Sequence, residues 1–139
     1  MNINKNYTFC MLKPDVINRN IIGKVLSMIE GHEFKIIKME KKQLSIENAN
    51  EFYKDHKEKS FFKDMVARIN NGEVVGLLLA YKNEDAVTVL RTLMGATNPA
   101  NADEGTIRKA YGISIDENTL HGSDSFENVT REAHIFFGK

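Results

Sequence analysis

Val74-Val75-Gly76-Leu77-Leu78-Leu79-Ala80-Tyr81 is apolar nearly throughout and is the longest such run in the chain. An uninterrupted run of this length suits a central strand, covered on one or both faces. It is far short of the ~18 residues a membrane helix needs. Helical spacing flanks it on both sides. Upstream, Phe62, Met65, Val66 and Ile69 recur on one face and stop near Asn71-Gly72. Downstream, Ala86, Leu90, Leu93 and Met94 do the same and stop at Gly95. Working outward, Tyr7 to Leu12 reads as a strand of β-branched, aromatic and apolar residues. Pro14 stops it, because proline has no N–H to give a ladder. Asn20 is positioned to cap a helix with the stripe Ile22, Val25, Leu26, Ile29, which Gly31 closes in a left-handed turn. Phe34 to Leu44 reads as a long strand, Ser45 caps a short helix through Tyr53, and Asp55 to Ser60 is a charged loop. Near the end, Thr119 to Gly122 fits a short strand. Asp124 with Glu127 suits the capping pair of a last helix through Phe126, Val129, Ala133 and Phe136.

The resulting order, strand and helix in alternation, makes an α/β sandwich with helices packed on a mainly antiparallel sheet and a split β-α-β unit at its core. One segment resists the pattern. Gly95 to Asn118 shows no periodicity, and structureless loops beyond about 12–15 residues are uncommon in compact domains and often functional.

At 139 residues one domain is expected, 1–139, large enough to bury a core without staples. The apolar share of 42% and charged share of 27% are ordinary for a globular protein. Nineteen basic residues balance nineteen acidic ones, which excludes a simple polyanion binder but says nothing of a local basic site. The single cysteine, Cys10, forms neither an internal disulfide nor a cysteine-rich metal site. No basic-plus-apolar leader opens the chain, and a cytoplasmic protein is the expectation.

The glycine-rich phosphate loops and the protein-kinase signature set are absent from the sequence. Any phosphate must therefore be held mainly by side chains. Lys13 follows a strand, Arg91 flanks the buried stripe of its helix and Arg108 lies in the aperiodic segment. Each alone reads first as a solvated surface cation; converging, they would clamp a polyphosphate, with guanidinium forks matched to its oxygens. Of four histidines, His32 reads as a turn residue, His56 as a solvated loop residue, and His134 has no chemical neighbours in sequence. His121 differs. It stands in Asn118-Thr119-Leu120-His121-Gly122-Ser123-Asp124-Ser125, between a strand and a helix start. Gly122 leaves room beside it, and hydroxyls, a carboxylate and helix N–H groups follow. A neutral imidazole is both proton acceptor and nucleophile; a capped turn with an incidental histidine is the plain alternative. Tyr53 and Phe61 flank the charged loop, each suited to packing or to ligand contact.

Several stretches taken together match a known family: Lys13-Pro14-Asp15, Phe52-Tyr53 with Phe61-Phe62, Arg91 through Leu93-Met94-Gly95-Ala96-Thr97-Asn98-Pro99-Ala100, Gly105-Thr106-Ile107-Arg108, and Asn118 with His121-Gly122-Ser123-Asp124-Ser125. Over essentially its full length the chain resembles the nucleoside diphosphate kinases. The resemblance implies a ferredoxin-like sandwich with a four-stranded sheet and a long protruding loop. It also implies ping-pong transfer of a terminal phosphate from nucleoside triphosphates, ATP foremost, to diphosphates. His121 would become phosphorylated, Glu132 would orient its ring and Ser123 would support the phosphohistidine. Lys13, Tyr53, Arg91, Thr97 and Arg108 would hold phosphates; Lys13 and Asn118 would also contact the ribose. Phe61 would stack on the base with Ile115 opposite, which tolerates every base because each has a π-face. Mg2+ would ride on the nucleotide phosphates with Asp124 nearby, through water.

Departures from the family pattern are Ser60 and Glu73, where many members carry proline, and Glu117, where eukaryotic members usually carry arginine. With Lys139 soon after the last helix, the chain resembles the bacterial short form. A homo-oligomer is implied, a tetramer before a dimer or hexamer, with no membrane and no obligatory nucleic acid. The competing expectations are a ferredoxin-like single-strand nucleic-acid module, which needs an aromatic, basic sheet face, and an inactive scaffold member of the family. For the main reading, zero net charge would be the sum of a positive pocket and acids largely spread elsewhere.

Overall fold

The computed structural model describes residues 2–138; Met1 and Lys139, the two ends of the expected unit, lie outside the described residues. Four strands form one sheet in the order β2-β3-β1-β4: β1 (Tyr7–Leu12), β2 (Lys35–Gln43), β3 (Glu73–Ala80) and β4 (Leu120–Gly122). All three pairings are antiparallel. Helices α1 (Pro14–Asn18), α2 (Ile22–Gly31), α3 (Ile46–Phe52), α4 (Phe62–Asn70), α5 (Ala86–Met94), α6 (Ile107–Tyr111) and α7 (Phe126–Phe137) cover it. This is the ferredoxin-like order, with a split β-α-β unit spanning β1, α2 and β2 around the inserted β3.

The central run is covered on both faces. Val75, Leu77 and Leu79 join one apolar cluster with Val25, Ile29 and Leu90; Val74 and Leu78 join another with Phe9, Phe52 and Phe136. The two-residue period of a strand produces that division. β1 repeats it, with Cys10 and Leu12 on the first side and Phe9 and Met11 on the second. Gly76 shares the second face, opposite Met11, and a Cβ there would come within 2.4 Å of the Phe136 ring. Both faces of the central strands β1 and β3 are thus occupied, so the open aromatic face of a nucleic-acid module is not available there.

Several local expectations change. Pro14 stops β1 but also opens α1, where its missing N–H costs nothing. Asn20 does not cap α2; its φ of 58° makes the left-handed link out of α1, and Ile21 precedes the helix. Gly31 is the last helical residue, not the left-handed one. That conformation falls on Glu33 at φ 69°, whose carboxylate is paired with Lys82 at 2.8 Å. Ser45 caps α3 as expected, accepting from the Asn48 N–H. The cap of α7 is Ser125, one residue later than Asp124, so Asn128 and not Glu127 answers it.

The aperiodic segment has structure of its own. Pro99–Asn101 forms a 3₁₀ turn, and Thr106 caps α6 by accepting from the Lys109 N–H. Five residues are too few for a stripe to be read from sequence, yet Ile107 is fully buried in the first cluster.

Candidate active site

His121 reaches its place by strand alternation. On β4 it lies opposite Met11, between the pairs Leu120–Leu12 and Gly122–Cys10. Its ring therefore faces the second side of the sheet while Leu120 packs into the first. Phe52 and Tyr53 meet the imidazole edge-on, each with centroid 6.0 Å away. From α7, Glu132 Oε1 lies 2.7 Å from His121 Nε2, and the same oxygen accepts from Ser123 Oγ at 2.7 Å. Glu132 is only 3% exposed. A buried carboxylate is costly unless donors surround it, and its other oxygen lies 3.5 Å from Arg131 Nη2. An ionised carboxylate only accepts, so the proton is assigned to Nε2, and the Nδ1 lone pair is left free.

The strand is entered under strain. Thr119, fully buried, has φ 73°, a left-handed conformation that a β-branched residue seldom adopts. Its hydroxyl donates to the Asn118 carbonyl, and its own carbonyl accepts from the Lys13 N–H at 2.9 Å.

Three cations converge on this strand. Arg108 is no solvated loop arginine: it lies on α6, is 7% exposed, and donates to the carbonyls of Asn118, Gly95 and Leu120 at 3.1, 3.0 and 2.8 Å. Arg91 Nη1 donates to the Gly122 carbonyl at 2.9 Å. Lys13 Nζ donates to Asn118 Oδ1 at 2.7 Å, and Asn118 Nδ2 donates to the Thr97 carbonyl at 3.2 Å. Among the described residues, no carboxylate forms an ion pair with Lys13, Arg91 or Arg108. Burial and then Arg108 push the Lys13 amine down to about 8. Burial and then Arg91 push Arg108 down to about 10. In both, burial acts first and a neighbouring arginine second, which Asp15 and Asp116 offset only in part at Lys13, and a phosphate would relieve them.

All of these groups line one cleft of about 600 Å³. Tyr53 lies deep in it, 4% exposed, its hydroxyl pushed up first by burial and then by Glu132. Phe61 and Ile115 stand at its mouth, 47% and 57% exposed. Asp124 is exposed and accepts from Asn128 Nδ2 at 2.7 Å, a bond that is the main reason its carboxyl titrates below the usual range. Most acids lie outside the cleft, but Asp55, Asp64, Asp116, Asp124 and Glu132 line it beside the cations. They are segregated within it. Asp116 faces Arg68 at 3.1 Å, and Arg131 faces Asp55 at 3.9 Å, which leaves the inner three cations free for a ligand.

The sequence reading missed several of these residues. His56 lies in the cleft, its ring 6.3 Å from both Tyr53 and Phe61, and is not a solvated loop residue. Arg131 donates to the carbonyls of Glu51 and Phe52 and to Asn128 Oδ1, tying α7 to the end of α3. Its one sequence signal was adjacency to Glu132, and Glu132 itself carried no signal apart from the family resemblance.

Comparison with known proteins gives a consistent result. A family model described as nucleoside diphosphate kinase matches residues 6–139. A nucleoside diphosphate kinase of Geobacter sp. (strain M21) is 52% identical over 132 residues, covering 95% of each chain. That of Rickettsia prowazekii is 50% identical over 133 residues, covering 96% of this chain and 94% of the relative. Among solved structures, the apo enzyme of Encephalitozoon cuniculi superposes with TM-score 0.91 at 33% identity, covering 96% of this chain and 90% of that one. The Aquifex aeolicus enzyme gives 0.90 at 30% identity, covering 95% and 94%.

Proposed function

The chain belongs to the nucleoside diphosphate kinase family, phosphotransferases that move a phosphate between nucleotides, and we propose that here the transfer runs through His121. Nδ1 attacks the terminal phosphorus of a bound triphosphate; the N–P bond forms as the bond to the β-phosphate oxygen breaks, and the diphosphate leaves. The ring gains positive charge as that bond forms, and the Glu132 carboxylate 2.7 Å from Nε2 stabilises it without taking the proton. A second diphosphate then enters the same cleft and its terminal oxygen takes the phosphoryl group back, which makes the kinetics ping-pong.

The observation that carries this reading is the pairing of an oriented imidazole with three cations, none of them held in an ion pair, in one cleft. Lys13, Arg91 and Arg108 bind the phosphates and stabilise charge on the leaving oxygen, with Tyr53, Thr97 and His56 beside them. Ser123 keeps Glu132 in place. Phe61 and Ile115 take the base between them, and Asn118 with Lys13 takes the ribose. Asp124 fits a cation carried on the phosphates: a single ionised carboxylate at the cleft surface suits Mg2+, which keeps its waters and takes few protein ligands. When bound, Mg2+ supplies charge neutralisation of the phosphate oxygens.

On this reading residues 1–139 work as one domain in the cytoplasm, with ATP as the main donor. No described helix is long and apolar enough to cross a membrane. Ile37 and Met39, exposed on edge strand β2, support self-association, for which we favour a tetramer.

The test is labelling with γ-phosphate-labelled ATP and Mg2+. Acid-labile, base-stable label on the parent and none on His121→Ala is expected; label retained elsewhere in His121→Ala sinks the assignment.

A further inference from the structure

The Arg68–Asp116 pair stands apart from the catalytic groups. Arg68 lies on α4, and its Nη2 is 3.1 Å from Asp116 Oδ2 on the segment between α6 and β4. These two elements are far apart in sequence, and each carries one wall of the base slot. Phe61 immediately precedes α4; Ile115 immediately precedes Asp116. Phe61, Met65 and Arg68 follow one another at helical spacing and all three line the cleft, so they form a single face of α4. The pair also stands between the cleft and a neighbouring hollow of about 210 Å³, both of which Arg68 and Asp116 line. No other ion pair in the described residues joins α4 to the 113–118 segment.

We propose that Arg68 and Asp116 are positioning residues that latch α4 to the 113–118 segment and so fix the distance between Phe61 and Ile115 across which a nucleobase stacks. The inference rests on the nucleotide-transfer reading of the cleft and adds to it a determinant of base binding. Neither residue touches the reacting phosphate in this assignment. Without the latch no ion pair joins the two walls, and part of the binding energy goes to ordering the slot. Both side chains are about half exposed, so the effect is that of a surface pair: a change of roughly two- to fivefold.

Electrostatics could mimic a latch, because both residues lie within Coulombic reach of Lys13. The neutral double variant Arg68→Gln/Asp116→Asn separates the two, since it leaves the local net charge unchanged. Two probes are titrated against parent and variant: a fluorescent ADP, which needs the base slot, and tripolyphosphate, which does not. The latch predicts about two- to fivefold weaker ADP binding with tripolyphosphate binding unchanged. It further predicts that Arg68→Asp and Asp116→Arg each weaken ADP binding, and that the swapped double variant Arg68→Asp/Asp116→Arg regains at least half the loss on a logarithmic scale. Equal loss for both probes, no loss for either, or a swapped variant no better than the worse single variant overturns it. Phosphoenzyme labelling of the parent runs alongside. A parent that takes no label overturns the transfer reading itself, whereas a labelled parent with any of those three results overturns the latch alone.

Discussion

Replacing Glu132 by glutamine keeps the shape of the side chain and removes its charge. In the parent, Oε1 accepts from both His121 Nε2 and Ser123 Oγ at 2.7 Å, and Oε2 lies 3.5 Å from Arg131 Nη2. A hydrogen bond to a charged group contributes about 1.5–3 kcal/mol and a neutral one about 0.5–1.5 kcal/mol. The His121 bond therefore loses about 1–1.5 kcal/mol, felt most as the ring turns positive, or roughly 5- to 13-fold in rate. The amide adds a second loss. Arg131 only donates, so it draws the amide oxygen to its own side and turns the NH2 toward His121 and Ser123. Nε2 must then accept, the proton moves to Nδ1, and the nucleophilic lone pair is gone. Together these predict phosphoenzyme formation about ten- to a hundredfold slower. Rapid-quench labelling with γ-phosphate-labelled ATP reads the rate, and thermal denaturation checks that the variant is folded. Removing a buried charge leaves no unpaired ion behind, so the fold is expected to hold. A folded Glu132→Gln protein that labels within about twofold of the parent refutes the assignment of Nε2–H to Glu132 and of Nδ1 to the attack.

Phe61→Ala should weaken nucleotide binding by about 1–3 kcal/mol, the typical value of one base stack, and by similar factors for all four bases; isothermal titration across a base series would show otherwise if the base is read by its edge. Gly76→Ala should destabilise the fold by about 1–3 kcal/mol, because the new Cβ meets a Phe136 ring already packed against Phe9 and Phe137; an unchanged urea midpoint would contradict that packing. Lys13 gives a pH prediction. Its folded-state value of about 8 lies below the ordinary 10.5, so the free protein loses this charge as pH rises through about 8. Nucleotide affinity should fall above that pH, and Lys13→Arg should flatten the fall. The stability sign is opposite: the unfolded chain holds the proton up to 10.5, so this group favours the folded state increasingly between pH 8 and 10.5.

The strands and long helices were legible because apolar spacing records them directly. Tyr7–Leu12 appears as read, and β3 is displaced by one residue. What failed were elements too short to have a period and turns governed by a neighbour's backbone. α6 is five residues long, and its burial of Ile107 and Arg108 depends on sheet contacts outside its own sequence. The left-handed turn after α2 fell on Glu33 because helical geometry ran through Gly31.

The site divides along a similar line. Sequence alone determined which residue types were at hand: a histidine in a hydroxyl-rich turn, an exposed-type aromatic at Phe61, and three cations in separate segments. It also determined the family, since the motifs occur in the right order along the chain. Local sequence could not say that Arg108 is buried against three carbonyls, that His56 turns inward, or that Arg131 reaches the end of α3. The arginine contacts belong to the tertiary structure, because they join segments brought together only when the sheet and its helices close, whereas His56 is set by the local path of the chain between Tyr53 and Phe61. Charge behaves in the same way. The composition sums to zero, and at the rim of the cleft Arg68 meets Asp116 and Arg131 meets Asp55 in matched pairs. Only folding removes water from Lys13 and Arg108 and sets exposed Arg91 beside them, none of the three in an ion pair, and an anion site is that residual charge.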